Sequence, residues 1–293
     1  MEEIMNKNEM IGQIIEVRVT DANDEFYFLQ NEGTTYRLAK EEITTQLDKE
    51  NVISGFAYEN ENHELQITTN LPKSQFNRYA FGKVVASRRD LGVFVDIGLP
   101  NKDVVVSLDE LPELTDLWPK NGDSLMIALK VDGKGRLWGT IATEEIFKGI
   151  SVKANESMKN KDVEAIAYRL KMAGTHVITS DFELGFIHPS ERDREPRLGE
   201  HLKARVIGIR PDGTLNLSLR RRAYEAISDD AQMILAALQH SDGILNYTDK
   251  STPEDIKKYF GISKGQFKRA VGHLMKAGLV RQVDGKMYIN DTK

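Results

Sequence analysis

Cysteine is absent from the 293-residue chain. That excludes disulfides, thiolate zinc sites and cysteine nucleophiles, and it fits a reducing cytoplasm. Histidine is scarce: the six residues are scattered, with no His-x-x-x-His pair and no acid at ligand spacing. No metal or cofactor is therefore expected. No apolar run approaches the roughly 20 residues of a membrane helix, and the opening MEEIMNKNEM lacks the basic-then-apolar layout of a signal peptide. The expectation is a cytoplasmic protein with no membrane partner. No two carboxylates can be placed in one cleft, so no active site is expected.

Two string matches do not survive their context. GISKG at 261 fits a nucleophile elbow, but a helix precedes it and Ser263 reads as the next N-cap. GKGRLWG at 133 clusters glycines ahead of a strand, not the helix that a dinucleotide site needs.

What is present is spread unevenly. Net charge is −5 overall. Residues 1–70 hold 5 basic and 15 acidic side chains, net −10, whereas 71–150 are balanced, 151–225 reach +3 and 226–293 reach +2. A polyanion would be repelled by the first quarter and tolerated by the rest.

The chain is also repetitive. One segment opens with FGKVVASRRDLGVFVDIG at 81, and another with DVEAIAYRLKMAGTHVITS at 162. Each runs strand, glycine (Gly92, Gly174), strand, strand, then Gly-acid-x-Leu, a β-branched run, a Gly turn and a last strand. Five short strands in roughly 65 residues suit a small closed barrel. A fainter five-strand copy precedes them between Gly12 and Thr69, without the glycine-aromatic signature. After 225 the period turns helical. Thr252-Pro253 reads as a cap and first turn, Phe267, Val271 and Leu274 share a face, and Asp284-Gly285 signals a hairpin. The expected fold is mainly β with a C-terminal α+β domain: barrels at 1–70, 71–148 and 149–222, and a winged helix-turn-helix at 223–293.

One residue sits oddly in this scheme. Val93, Val95 and Ile97 alternate onto one face, which leaves Phe94 facing water beside Asp96. Phe94 is either covered by a neighbouring domain or exposed for a ligand.

The residues Gly82-x-Val84, Gly92-Val93-Phe94-Val95-Asp96-Ile97-Gly98 and Gly185-Phe186-Ile187-His188-Pro189-Ser190-Glu191 resemble those of S1 domains. These are oligonucleotide-fold barrels that bind single-stranded RNA. With the faint first copy and the winged helix, the order is similar to the bacterial conserved virulence factor B family. The resemblance implies a non-catalytic RNA-binding protein with a post-transcriptional role in virulence gene expression. It assigns Phe94 to base stacking and matches Asp132 and Arg136 to the family's pair around the last turn. Asp132 then orients Arg136 or accepts from a base edge or 2′-hydroxyl. Leu91 stands where a second family aromatic belongs, and Val106 matches the family's third-strand His. In the third repeat His188 matches that His, His176 replaces the stacking Phe, Ala173 the earlier aromatic, Arg210 the Asp and Thr214 the Arg.

Arg88, Arg89, Lys134, Arg205 and Arg210 are candidate phosphate contacts. Trp138 either extends the platform or packs under a domain contact. The Arg-Arg-Arg run at 220–222 reads as a solvated barrel end. On the winged helix Lys264, Lys268, Arg269, Lys276, Arg281 and Lys286 are candidate nucleic-acid contacts. Two other readings stay open: a regulator that binds DNA through the winged helix, and a protein-interaction scaffold. The acidic first barrel fits a protein partner or a nucleic-acid mimic.

Overall fold

The computed structural model describes residues 10–220 and 228–290. Arg221 and Arg222 of the Arg-Arg-Arg run lie outside the described residues, as does most of the N-terminal decapeptide. The chain divides after Leu219 into two compact units.

The first unit holds three closed five-stranded barrels. Strands β1 (Ile14–Ala22), β2 (Phe26–Asn31), β3 (Thr34–Ala39), β4 (Val52–Glu59) and β5 (Leu65–Thr68) form the first. The second comprises β6 (Ala80–Arg88), β7 (Gly92–Asp96), β8 (Val104–Ser107), β9 (Ser124–Val131) and β10 (Leu137–Ile141). The third comprises β11 (Asp162–Lys171), β12 (Gly174–Thr179), β13 (Leu184–Ile187), β14 (His201–Ile209) and β15 (Leu215–Ser218). In each, the third and fifth strands pair in parallel to close the wall.

The period-two pattern explains why these runs become strands. Val84, Val93, Val95, Val104, Val106 and Ile127 point inward and are fully buried in the second barrel. Val177, Ile187, Val206, Leu215 and Leu217 do the same in the third. Each first strand carries a β-bulge, at Val19/Asp21, Val84/Ala86 and Ala167/Arg169. A bulge bends its strand and re-aims the side chains beyond it, so the barrels share one outward register.

Two junctions bind the barrels together. The Tyr58 hydroxyl of the first donates to the Pro100 carbonyl of the second at 2.8 Å. Burial pushes its pKa far above the ordinary phenol value, with the charge of Glu42 adding to the effect. Between the second and third barrels, Arg197 donates two bonds of 3.0 Å to Asp123. The short helix α1 (Glu144–Ile150) stacks Phe147 on Tyr168, with ring centres 4.0 Å apart.

The second unit comprises α2 (Asp229–His240), β16 (Ile244–Leu245), α3 (Pro253–Phe260), α4 (Lys264–Lys276), β17 (Val280–Val283) and β18 (Lys286–Ile289). Its core is Ile234, Leu238, Ile256, Phe267, Val271, Leu274 and Met287. Thr252 caps α3, and Ser263 forms a reciprocal capping box with Gln266 at α4. The hairpin turn has positive φ at Asp284 and Gly285, as a primed turn requires. Among the described residues no helix is long and apolar enough to cross a membrane.

Gly92 opens β7 at φ 138°, where a Cβ would lie 2.0 Å from the Val106 carbonyl. Gly92→Ala is expected to destabilise the first unit by about 2–4 kcal/mol through strain and steric displacement. Gly133→Ala, with open space around it, should stay within about 0.5 kcal/mol. Urea unfolding measures both; equal midpoints for the two variants contradict this reading.

Candidate nucleic-acid interface

The inward-outward alternation leaves a row of side chains across the outside of the second barrel. Register places Phe94 on β7 opposite Val105 on β8, Val105 opposite Trp138 on β10, and Trp138 opposite Lys130 on β9. Phe94 and Trp138 are both half-buried, two strand spacings or about 10 Å apart. Phe94 is thus neither sealed nor fully open.

The β9–β10 turn organises the Trp138 end. Asp132 accepts from the Arg136 backbone N–H at 3.0 Å, the Arg136 Nε at 2.8 Å and the Trp138 indole N–H at 3.1 Å. The Arg136 guanidinium lies 5.4 Å from the centre of the Trp138 ring. These bonds, led by the Arg136 backbone N–H, hold the Asp132 carboxyl well below the usual range. The aspartate therefore stays charged and fixes both the arginine and the indole. Trp138 belongs to the outward row, half-buried beside the Arg136 guanidinium.

The third barrel repeats the row with different chemistry. Arg169 faces His176, His176 faces Phe186, and Phe186 faces Asn216. The His176 ring meets Phe186 edge-on at 5.4 Å. Arg210 lies 4.5 Å over Phe186 and donates its Nε–H to Asn216 at 2.9 Å. Burial lowers the His176 pKa, helped by Lys171, Arg169 and Arg210 and opposed by Glu144. His176 is thus a neutral flat ring at neutral pH. His188 is exposed, and its Nδ1 accepts from the Ser190 backbone N–H as an N-cap.

The remaining candidate cations are scattered. Arg88 is exposed and clamped by Asp90 at 2.6 Å, while Arg89 and Lys134 are exposed near the β6–β7 and β9–β10 turns. Arg205 is half-buried on β14. In the second unit Lys268, Arg269 and Lys276 are exposed on α4 and Lys264 is half-buried at its start. Lys286 and Arg281 are exposed on the wing, Arg281 lying 5.3 Å over Tyr288. A groove of about 440 Å³ separates α4 from the wing, lined by Lys268, Val271, Met275 and Val283. Among the described residues no group of three or more acidic, His or Cys side chains is placed to hold a metal.

The second domain of virulence regulatory factor CvfB matches residues 147–221, the CvfB first S1-like domain 79–140, a CvfB-like winged helix domain 232–289, and an S1 domain 11–70. Conserved virulence factor B of Staphylococcus epidermidis is 37% identical over 95% of this chain and 94% of its own. The chain belongs to the conserved virulence factor B family. Protein YitL of Bacillus subtilis is 40% identical over 94% of this chain and 93% of its own. A Streptococcus pneumoniae crystal structure, described as a multidomain protein with nucleic acid binding domains, shares 49% identity and a TM-score of 0.72. It covers 97% of this chain and 99% of the other. The domain types of the conserved virulence factor B family indicate nucleic-acid binding.

Within that family frame one assignment changes. Val106 cannot stand for the third-strand His, because it is fully buried in the barrel core. Ser107 takes that place: it caps the short helix after β8 as His188 caps the one after β13. The run DVVVS carries no polar mark that shows which valine faces out, so a one-residue slip went unseen. The first barrel also holds a ring that its missing glycine concealed. Phe28 sits opposite Arg37 after the same bulge, in the register of Phe94 and His176. Further along that row, Gln66 and Tyr58 are buried, and Tyr58 is spent on the second barrel. Phe186 was the other omission, although the period-two signal that buries Ile187 already turned it outward.

Because the folded state holds His176 below its ordinary pKa, neutral imidazole is favoured in the native protein. Its contribution to stability is complete above about pH 6.5 and is lost as pH falls through the lowered folded value. Stability should therefore fall on acidification below pH 6.5, and less so in His176→Phe. Urea midpoints across pH, with an NMR titration of the ring, measure this; an NMR pKa at or above 6.5 contradicts it.

Proposed function

We propose that the chain is a non-catalytic cytoplasmic protein that holds single-stranded RNA on its second and third barrels and acts after transcription on virulence gene expression. The observation that carries this reading is the pair of outward rows, each an aromatic platform with an arginine over one ring. Phe94 and Trp138 offer rings to bases in the second barrel, and His176 and Phe186 do so in the third. Stacking suits any base, because every base has a π-face, and is worth roughly 1–3 kcal/mol per base. Arg136 and Arg210 stack or bond phosphate, with His188 and Asp132 at the platform edge. Arg88, Arg89, Lys134 and Arg205 supply charge to the backbone.

Two incomplete platforms in one compact unit gain through effective concentration. The winged helix adds affinity through Lys264, Lys268, Arg269, Lys276, Arg281 and Lys286. The first barrel, acidic and with Tyr58 of its row spent on the second, serves as a support or a protein-docking surface. A DNA-binding regulator is the runner-up, favoured by the exposed Lys268, Arg269 and Lys276 on α4. Its weak point is the pair of glycines, Gly265 and Gly272, within that helix.

Titration of labelled single-stranded RNA, single-stranded DNA and duplex DNA at two salt concentrations tests the choice. Single-stranded RNA should bind with a log–log salt slope of about −0.7 per neutralised phosphate. Phe94→Ala should lose about 1–3 kcal/mol with the slope unchanged, whereas Arg136→Ala should flatten the slope by somewhat under one unit. Preference for duplex DNA with both variants silent favours the regulator.

A further inference from the structure

An unassigned groove lies where the second and third barrels meet, beside Arg169 and the Lys130–Glu110 pair. Strand β9 of the second barrel runs beside β11 of the third, so Lys130 ends one row and Arg169 begins the other. Between them lies a groove of about 260 Å³, lined on its floor by Leu111, Ile141, Tyr168 and Leu198 and above by Glu110 and Glu144. That is smaller than the roughly 300–1,000 Å³ of a drug-sized site. It has room for a heterocycle.

The charges are layered. Glu110 is tied into the barrel by Lys130, the Thr140 hydroxyl and the Ile141 backbone N–H. Glu144 is paired with exposed side chains: Lys148 at 3.0 Å, Lys171 at 2.9 Å and Arg169 at 3.8 Å. Its own side chain is 18% exposed, while those of Lys148 and Lys171 are 60% and 40% exposed. Four cations thus ring two sunken carboxylates. A strand crossing here is drawn by its phosphates to the rim, and only an uncharged part of it can descend past the acids.

Resting on the RNA reading above, we propose that this groove takes a single guanine base from the strand that passes between the two platforms, with Glu144 accepting from its Watson–Crick edge. A carboxylate is acceptor-only, with two oxygens side by side. Guanine alone presents two adjacent donors, N1–H and the 2-amino group. Adenine and cytosine present one amino group beside an acceptor nitrogen, and uracil one N–H between two carbonyls. Its lysine hydrogen bonds, Lys171 first and Lys148 next, hold Glu144 down to a pKa of about 2 before the base arrives, and the ordinary carboxylate pKa of about 4.3 keeps it an acceptor at neutral pH once they leave. The lysines are free to turn to phosphate as the base arrives. The apolar floor covers the ring faces, so this base is read by its edge, unlike those stacked on the platforms.

The test is the affinity of the full chain for an oligouridine of about a dozen residues, long enough for two oligonucleotide-fold sites, with one central residue varied. Central guanine should bind about tenfold tighter than central uridine, with adenine and cytosine between. The guanine-to-uridine ratio should fall to near one in Glu144→Gln and, independently, in Leu111→Trp, which fills the floor. Taking the ratio within each variant cancels any general loss of fold. Equal affinity for all four oligomers, on a tract that Phe94→Ala still weakens, overturns the groove and leaves the stacking reading intact. A ratio retained by either variant also overturns it. If none of the oligomers binds, the stacking reading fails and the groove with it.

Discussion

Closing a five-stranded sheet on itself is the constraint from which the rest follows. Closure sends every second side chain into a small core, filled mostly by valine, leucine and isoleucine, and leaves its neighbours outside. The bulge in each first strand then sets which outward residues share a row. Once Val93, Val95, Val104 and Val106 are committed inward, Phe94, Val105 and Trp138 have only the outer wall. A ring on that wall loses the hydrophobic stabilisation of full burial, roughly 1.5–3 kcal/mol for a large apolar side chain. Its value to the protein lies in what can be laid against it.

The three copies spend the same wall in different ways. The first presents Phe28 and Arg37, ties Gln66 to its own Asn60 and gives up Tyr58 to hold the second barrel. The second keeps two rings apart and pins one by Asp132. The third sets His176 and Phe186 edge to face beneath Arg210. The position that is aspartate in one copy and arginine in the next, Asp132 and Arg210, shows how little the backbone dictates here. In one barrel it is an acceptor that orients the arginine and indole; in the other it is itself the cation over the ring. The acidic first copy and the nearly neutral second agree with this division.

Alternation, turn glycines and helix caps made the barrels and the winged helix legible, since those signals are local. Gly92, Gly174, Thr252, Ser263 and Asp284-Gly285 announce their backbone conformations in the sequence itself. The parity of Phe94 against Val93 and Val95 announced the candidate site. The remainder was hidden for physical reasons. A uniform valine run has no phase, which cost the register at Val106 and Ser107. Phe28 lacks the glycine that marks its counterparts. The junctions rest on partners far apart in the chain: Asp123 with Arg197, Phe147 with Tyr168, Tyr58 with Pro100. Nothing local links such pairs, and the groove between barrels exists only because of them.

The central claim is that RNA lies along the outward rows of the second and third barrels. Photocrosslinking of the full chain to single-stranded RNA, with adducts mapped by mass spectrometry, tests it most directly. The account predicts adducts on peptides that contain Phe94, Trp138, and His176 or Phe186. Adducts confined to residues 10–70 or to the winged helix, with those peptides unmodified, would contradict it.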